Sequence, residues 1–561
     1  MDTDTTNVEE DTATEDSDED EEETATEDGE EDEEETTGPI DPAMWAAASQ
    51  GLPLPTAGWP SDVPTALRLV EVAVWNDWGR TVADLCTNLS NQLGCRLVDA
   101  ILPQFDGTLL ACAALHGSVD AATSLLQMKA CVNASTGTWM PPLAVATIPV
   151  NLGMMRLLVE CKADVDTDDG APLAFSAQNG DVPAVQLLLD AKALVNARTE
   201  EGRVALHLAS SRGHATVVHM LIGAKACVNI ADDNEITALS FASSNGHVAI
   251  VRALLDARAS IDRADKKGRT PLWDASDEGH TATVELLLQA RADVHLVTTD
   301  KHRETALVRP TVYGHVPVMS LLLESKSDVH AVDGAGGTPL FYAAQTNNVL
   351  GTLLLLAAKS KVNATCPFGR TPLVVAATND AASVVPVLIE AKANVDQAGM
   401  DGVTPLHAAA PKDCVAVASI LIEAGADVQA TNNAGHTPLH AAVERDAGNV
   451  IAPLVAAKAD VHARDTLGRT PLDVAVRANA GNAVPPLLAA KCDVHARDAR
   501  GRSPLFHAVE HKYRYVMALL IVAKADVDAV PEDVWTGERV RRHHRPRREV
   551  RSPPNRGPRI I

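Results

Sequence analysis

The sequence predicts an all-α array of repeated helical units, and three observations support this fold class. A period of 33 residues recurs thirteen times. Leu falls two and seventeen residues after the start of every unit. Ala falls five residues after the start in eleven units, with Ser176 and Pro310 in the other two. One unit is too small to bury its own apolar face, so neighbouring copies must cover it. The starts of repeats 1 to 13, called reference positions, are Thr108, Pro141, Ala171, Val204, Thr237, Thr270, Thr305, Thr338, Thr371, Thr404, Thr437, Thr470 and Ser503.

Residues 402–430 show how one unit is built. Thr404 can cap the exposed N–H groups of a helix, and Pro405 suits the first helical position because the N–H that it lacks would have no partner there. Two short apolar helical segments follow, and the sequence Gly425-Ala426-Asp427-Val428 ends the second. Each unit is therefore predicted to be a pair of short helices.

A 33-residue unit that carries T-P-L-H-x-A resembles an ankyrin repeat. The resemblance covers roughly residues 106–530, which we interpret as an array of about thirteen repeats. It implies an all-α solenoid of stacked antiparallel helix pairs with projecting β-hairpin-like loops. The first four positions of this motif, Thr-Pro-Leu-His, are called the tetrapeptide, and His207, His407 and His440 complete or nearly complete it. Other units replace its His with Trp273, Phe341, Val374, Asp473 and Phe506.

Segments of different composition flank the array. Residues 1–38 hold 21 Asp or Glu and no Lys or Arg, and are predicted to be an acidic disordered tail. Residues 39–64 form a Pro/Gly-rich linker, and residues 531–561 a predicted Arg-rich disordered tail. Residues 65–105 have two interpretations: a degenerate repeat that caps the array, or a small ubiquitin-like fragment with a strand at 67–74 and a helix at 81–93. We favour the cap, because the first apolar face of the array must be covered.

Two turns in each unit require particular backbone geometry. The residue nine after the reference position must tolerate a left-handed conformation, and it is Gly, Asn or Asp in all units except those with Val150 and Lys512. The end of the second helix holds Gly only at Gly425, and Lys or Arg in the other twelve units. Either that turn relaxes from the left-handed geometry, or cations at the helix C-termini offset part of the cost.

The sequence argues against several classes of function. No phosphate-binding glycine loop, HExxH or GxSxG occurs in a suitable context, so we expect no enzyme and no cofactor. Four histidines share one hairpin position and form two pairs in successive repeats, His295 with His330 and His462 with His495. Equivalent residues of adjacent repeats should lie about 8–10 Å apart, too far for one Zn²⁺, so no metal is expected. Nine Cys without a CxxC pair, and no apolar run long enough for a membrane span, favour a cytoplasmic or nuclear location.

The resemblance implies a non-enzymatic scaffold or adaptor that binds protein partners, whose identity the sequence does not give. Two alternatives stay open: a regulatory or inhibitory subunit of an enzyme, or a nuclear factor that binds anions or nucleic acid through residues 539–561, which hold nine Arg. In the family, the partner-facing positions lie in the hairpins and just after the first helix. Carried onto this chain, they are Lys266, Lys267, Arg269, Tyr313, Phe368, Arg370, Met400, His436, Arg469, Arg500 and Arg502.

Three expectations about behaviour follow from the sequence. The two-residue insertion within 296–304 and Pro310 predict a hinge in repeat 7. Prolines in late second helices (Pro386, Pro453, Pro485 and Pro486) predict that the C-terminal third unfolds first. Finally, the acidic residues 1–38 have two interpretations: they contact a row of basic residues and so shield it from acidic partners, or they only keep the array soluble. That row comprises Arg203, Arg269, Arg370, His436, Arg469 and Arg502.

Overall fold

The computed structural model describes residues 63–77, 79–93, 97–102, 107–135 and 140–528. The predicted acidic tail, residues 39–62 of the predicted linker and the predicted Arg-rich tail lie outside these residues. The first helix begins at Val63, so the linker prediction ends two residues too late.

The described residues fold into 28 α-helices, one short 3₁₀ helix and two short strands. The strands Ile101–Leu102 and Gly107–Thr108 pair antiparallel just before repeat 1, and the 3₁₀ helix Ala410–Lys412 extends the first helix of repeat 10. In chain order the α-helices are Val63–Trp75, Gly79–Leu93, Leu109–His116, Val119–Gln127, Pro142–Ala146, Leu152–Glu160, Thr167–Asn179, Val182–Asp190, Ala205–Arg212, Ala215–Gly223, Ala238–Ser244, Val248–Asp256, Pro271–Asp277, Thr281–Gln289, Val308–Tyr313, Val316–Glu324, Pro339–Gln345, Val349–Ala357, Pro372–Thr378, Val384–Glu390, Pro405–Ala409, Val415–Glu423, Pro438–Glu444, Ile451–Ala456, Pro471–Arg477, Val484–Ala489, Pro504–Glu510 and Arg514–Val522.

The helix pairs stack into the predicted solenoid. The first helix of each repeat packs against the first helices of its neighbours, and second helices pack against second helices. The Leu two residues after each reference position is at most 2% exposed, and the Leu seventeen residues after it is fully buried in all thirteen repeats. Because burial of a Leu side chain contributes roughly 1.5–3 kcal/mol, these two rows form the core that holds the repeats together.

Helix caps begin the first helices as the sequence predicted. Thr404 Oγ1 accepts the N–H of His407 at 3.4 Å, and His407 Nδ1 accepts the N–H of Thr404 in return. His440 and Asp473 make the same reciprocal bonds with Thr437 and Thr470. The His and Asp of the tetrapeptide therefore act as structural capping groups.

The segment before repeat 1 is helical throughout, so the predicted strand at 67–74 is wrong. Leu67, Val70 and Val74 lie on the buried face, with the spacing of three and four residues that a helix produces. The second helix of this segment, Gly79–Leu93, packs on the second helix of repeat 1, and Asp77 Oδ1 accepts the N–H of Ala121 at 2.9 Å. This helix pair favours a degenerate capping repeat over a ubiquitin-like fragment.

Every repeat uses both left-handed turns. The residue nine after the reference position has positive φ in all thirteen repeats, including Val150 and Lys512, at 56° and 60°. At the end of the second helix, the twelve Lys or Arg residues have φ from 61° to 71°, and Gly425 has 87°. The alternative that this turn relaxes from left-handed geometry is therefore wrong, because the twelve Lys or Arg residues adopt this unfavourable backbone conformation.

Prolines shorten several late helices, as expected. The second helices of repeats 9, 11 and 12 have seven, six and six residues, whereas those of the other repeats have nine. In repeat 7 the first helix has six residues and begins at Val308. The hinge and the early unfolding of the C-terminal third stay predictions.

Candidate functional site

The loops between repeats form a row of tight hairpins. Hairpin positions are numbered backwards from the reference position, so that Arg469 occupies position −1 of repeat 12 and Asp465 position −5. The N–H at −5 donates to the carbonyl at −1, as from Asp465 to Arg469 at 3.0 Å. Neighbouring hairpins are also joined by backbone hydrogen bonds, such as that from Met400 N–H to the carbonyl of Phe368 at 3.0 Å. This ladder fixes the side chains of adjacent hairpins next to one another.

An aspartate at position −5 organises several hairpins. Asp465 Oδ1 accepts the N–H groups of Leu467 and Arg469 at 2.9 and 2.8 Å, and Oδ2 accepts the guanidinium of Arg469 at 2.6 Å. Although burial raises the pKa of Asp465, the hydrogen bonds from Arg469 outweigh it and leave that pKa below its usual value. Asp265 binds Arg269 in the same manner. Asp498 accepts the N–H of Arg502, but its Oδ2 accepts Arg477 Nη2 at 2.8 Å, and the Arg502 guanidinium lies 3.4 Å from it.

The basic row at position −1 is therefore largely neutralised. Arg203 lies 2.7 Å from Glu201 and 3.7 Å from Asp232. His436 is only 7% exposed, and its Nε2 lies 3.4 Å from Asp465 Oδ2. The expectation that His436 presents its ring to a partner is wrong, because Asp465 and Arg469 of the next hairpin cover it.

Repeat 9 breaks this pattern. Cys366 stands at its position −5, and Gly399 at the position −5 of repeat 10, so neither hairpin has the organising carboxylate. Arg370 is exposed, and in the part of the chain that the structure describes it has no carboxylate within ion-pair distance. Among the described residues, Arg370 is thus the one member of the basic row that has no ion-pair partner.

Two large apolar side chains project beside Arg370. Phe368 is 70% exposed and Met400 is 73% exposed, and the backbone hydrogen bond between these two residues joins their hairpins. Phe368, Arg370 and Met400 are called the hairpin patch. It combines an open guanidinium with two uncovered apolar side chains.

The other predicted site residues are dispersed along repeats 6 to 13. Lys266, Lys267 and Arg500 are exposed at hairpin tips. Tyr313 is 58% exposed, and its hydroxyl lies 3.4 Å from Arg309. Arg269, Arg469 and Arg502 are half-buried in their ion pairs. The structure therefore brings only the three hairpin-patch residues together.

Sequence reasoning missed a charged cluster around Trp273. The guanidinium groups of Arg269 and Arg309 each lie 5.7 Å from the Trp273 ring, and Arg309 donates to Glu304 at 2.9 Å. Burial, more than the neighbouring charges, raises the pKa of Asp274 to about 7. The one sequence feature that could have indicated this cluster is Trp273, which replaces the His of the tetrapeptide.

One group of side chains in the described part of the chain has the spacing of metal ligands, but its surroundings do not suit a metal ion. Among the described residues, ligand atoms of His507, Glu510 and His511 lie within 4.8 Å of one another. However, Arg477 Nη2 lies 2.7 Å from His507 Nε2, and Arg502 Nη1 lies 3.7 Å from Glu510 Oε2, so a metal cation would meet two guanidinium groups. In the described ranges, no helix combines the length and the apolar character that a membrane crossing requires.

Comparison with known protein families supports the fold. A family model described as Ankyrin repeats (3 copies) matches residues 143–232, 224–298, 340–432, 396–465 and 439–531. A second, described as Ankyrin repeats (many copies), matches residues 305–351. No curated protein matches the chain.

Proposed function

Because this chain belongs to the ankyrin-repeat family, we propose that it is a non-enzymatic scaffold that binds a protein partner through the hairpin patch and the adjoining face of repeats 9 and 10. Ankyrin repeats are generally protein–protein interaction modules, and their extended stacks offer long binding surfaces.

The hairpin patch is the observation that carries this proposal. Phe368 and Met400 leave apolar surface in water at the cost of hydrophobic stabilisation, which a partner recovers by covering them. Aromatic, Met and Arg side chains are enriched in protein interfaces, where a few buried anchors dominate the affinity. Arg370 adds an open cation, so the patch fits a partner segment with an apolar residue beside a carboxylate.

A site-specific cross-linking experiment tests the proposal. A photo-reactive amino acid replaces Phe368 in the full chain, and Leu467, at position −3 of repeat 12, is replaced in a matched control. Leu467 is 58% exposed, but its neighbour Arg469 is paired with Asp465. We expect a protein that cross-links at 368 and not at 467, and whose capture is lost in Arg370→Gln/Met400→Ser. The same proteins from both positions, or capture unaffected by that double variant, would contradict the proposal.

The alternatives from the sequence stay hypotheses. Residues 539–561, on which the nucleic-acid and anion alternative depends, lie outside the described residues. A regulatory or inhibitory subunit would use the same kind of surface, with an enzyme as the partner. A cytoplasmic or nuclear location stays a prediction.

A further inference from the structure

The loop that enters repeat 3 is three residues shorter than the others, and this shortening changes the hairpin row. The chain turns through three successive left-handed residues, Asp168, Asp169 and Gly170, with φ of 53°, 54° and 79°. Among the described residues, no backbone hydrogen bond joins the tip of this loop to the next hairpin, whereas such bonds join most of the later ones. The missing tip leaves a gap beside the hairpin of repeat 4.

A cavity of about 390 Å³ occupies this gap. Phe175 and Leu208, from the first helices of repeats 3 and 4, contribute apolar surface to it. Asp168 and Asp169 line it from the short loop, and Glu200 and Glu201 from the hairpin of repeat 4. These residues, with Arg203, are called the acidic cleft. Pockets of roughly 300–1,000 Å³ hold ligands of drug size, so this one has room for one or two long side chains but not for a helix.

The charge of the acidic cleft is unbalanced. Arg203 is the one cation in its lining, and Glu201 already binds it at 2.7 Å. Asp168, Asp169 and Glu200 form no ion pair with any described residue. A cleft lined by charges of one sign with apolar walls concentrates the field, and so raises the local concentration of opposite charges.

We propose that the acidic cleft binds an Arg side chain from the Arg-rich segment, residues 539–561, of a second copy of this chain. The aliphatic part of the Arg packs on Phe175 and Leu208, and its guanidinium meets the carboxylates of the short loop and of Glu200. Guanidinium suits this role because it is weakly hydrated and presents several donors to carboxylates at once. This interaction joins copies of the chain and is separate from the proposed function of the hairpin patch.

Charge and distance both favour this occupant. Residues 539–561 carry nine Arg against a single Glu, the complement of the cleft lining. Ten repeats separate the cleft from repeat 13, a path of roughly 80–100 Å at 8–10 Å per repeat. Residues 529–548 span at most about 66–72 Å, so the six Arg residues up to Arg548 do not reach the cleft of their own chain. The last three Arg residues reach it only if the segment is almost fully extended, which costs conformational entropy. A second copy supplies it without that restriction.

A peptide-binding experiment tests the chemistry of the cleft. The probe is a fluorescent synthetic peptide of residues 539–561, titrated with the full chain and followed by anisotropy. The cleft variant is Asp168→Asn/Asp169→Asn/Glu200→Gln, in which Asn keeps the tolerance for left-handed backbone. The matched control, Glu160→Gln/Glu324→Gln/Glu423→Gln, removes three exposed carboxylates at the ends of other second helices. Acidic residues 1–38 are the same in all three proteins, so their own attraction for the peptide cancels.

We expect the cleft variant to bind the peptide at least tenfold more weakly than the wild type and the control, with an unchanged thermal unfolding midpoint. A peptide with its Arg residues replaced by Gln should lose the same affinity. Sedimentation of the full chain should then show self-association at low salt that the cleft variant lacks. Equal peptide affinities for the cleft variant and the control would overturn the site. Self-association that is absent, or unaffected by the cleft variant, would overturn the second copy as the occupant.

Discussion

Arg469 donates its Nε–H to Asp465 Oδ2 over 2.6 Å, across the four-residue turn of one hairpin. Arg269 and Arg502 also form ion pairs with the aspartate at position −5 of their hairpins, at 2.7 and 3.4 Å. Because each pair cancels a charge that the sequence places at the loop edge, the basic row is not the positive stripe that a count of Arg residues suggests. Arg370, which has Cys366 in place of the aspartate, is the exception.

Shielding by residues 1–38 is therefore expected to act through Arg370. A protein that starts at Gly38 should bind an acidic peptide more tightly than the full chain, and the difference should shrink as salt rises. Arg370→Gln should reduce that difference, to which the Arg residues of 539–561 also contribute, whereas Arg469→Gln should leave it unchanged, because Arg469 is already paired. Anisotropy titrations at low and high salt measure both effects, and equal affinities of the two proteins at low salt would remove the idea.

Cys366→Asp should convert repeat 9 to the common hairpin. The new carboxylate can accept the N–H groups of Phe368 and Arg370, for which no described side chain is an acceptor, and it can pair with the Arg370 guanidinium. Each net hydrogen bond contributes about 1 kcal/mol, so we expect the free energy of unfolding to rise by roughly 1–2 kcal/mol.

Cys366→Asn separates the two effects of that change. Asn432 already accepts the N–H groups of Ala434 and His436 in repeat 11, so Asn at 366 should stabilise the hairpin without neutralising Arg370. Chemical denaturation should show both variants to be more stable than the wild type. Capture of a partner at Phe368 should fall in the Asp variant alone, and an equal fall in both variants would argue against a role for the charge.

Replacement of left-handed lysines by glycine should stabilise the array. Lys359 and Lys392 have φ of 66° and 67°, a conformation that costs a non-Gly residue about 1–2 kcal/mol. We expect Lys359→Gly/Lys392→Gly to raise the midpoint of thermal unfolding, and Gly425→Lys, in the one repeat that has Gly here, to lower it. If Lys359→Gly/Lys392→Gly lowers the midpoint, interaction of the cations with the helix C-termini outweighs the backbone strain.

Periodic features could be predicted from the sequence, because each is repeated thirteen times and has one physical cause. The two buried Leu rows and the left-handed turns are of this kind, and Val150 shows that position in the repeat decides the turn even where the residue type opposes it. The helix Val63–Trp75 was missed because it occurs once, and its alternating Leu and Val residues also fit a strand.

The hairpin patch could be predicted only in part. Phe368, Arg370 and Met400 were expected at partner-facing positions, but nothing in their spacing showed that they adjoin. Their contact depends on the backbone hydrogen bond between two hairpins 33 residues apart. Arg370 is unpaired because Cys366, four residues before it, replaces the aspartate of other hairpins. The residues at position −1 alone do not reveal this difference. The acidic cleft was missed for a similar reason, since a shortened loop alone does not show which side chains line the gap.

Buried histidines should make the stability of the array depend on pH. His440 is fully buried, and burial is the main cause that lowers its pKa to about 4, against the hydrogen bond to the carbonyl of Arg469. The unfolded chain takes up this proton near pH 6.5 and the folded chain only near 4. Stability should therefore fall as the pH falls from about 6.5 to 4, by on the order of 2–3 kcal/mol for this residue.

Thermal unfolding at several pH values checks this expectation when two variants, one at a buried and one at an exposed histidine, are compared with the wild type. His440→Asn should show a smaller loss of stability between pH 6.5 and 4 than the wild type. His462→Asn, which changes an exposed hairpin histidine, should show the wild-type loss. Equal pH dependence in His440→Asn and the wild type would show that the titration of His440 does not limit stability.

Repeat 7 should open more readily than its neighbours. Its first helix begins only at Val308, which places Pro310 in the first turn, where the missing N–H needs no acceptor within the helix. The helix is short as a result, and no side chain caps it, since the Oγ1 of Thr305 is buried without a hydrogen-bond partner. The chain avoids the proline clash by beginning this helix two residues later than the equivalent helices of repeats 6 and 8, so fewer helical hydrogen bonds resist opening here.

Hydrogen exchange measures this difference directly. Amides at 305–313 should exchange faster than those at 270–278 and 338–346, the equivalent segments of repeats 6 and 8. Pro310→Ala should slow exchange at 305–313, because Ala restores a backbone donor and allows the helix to begin nearer Thr305. Pro372→Ala serves as the control, since Pro372 occupies the first position of its helix, where the change should leave exchange in repeat 9 nearly unaltered. Exchange at 305–313 no faster than in the flanking repeats would contradict the hinge.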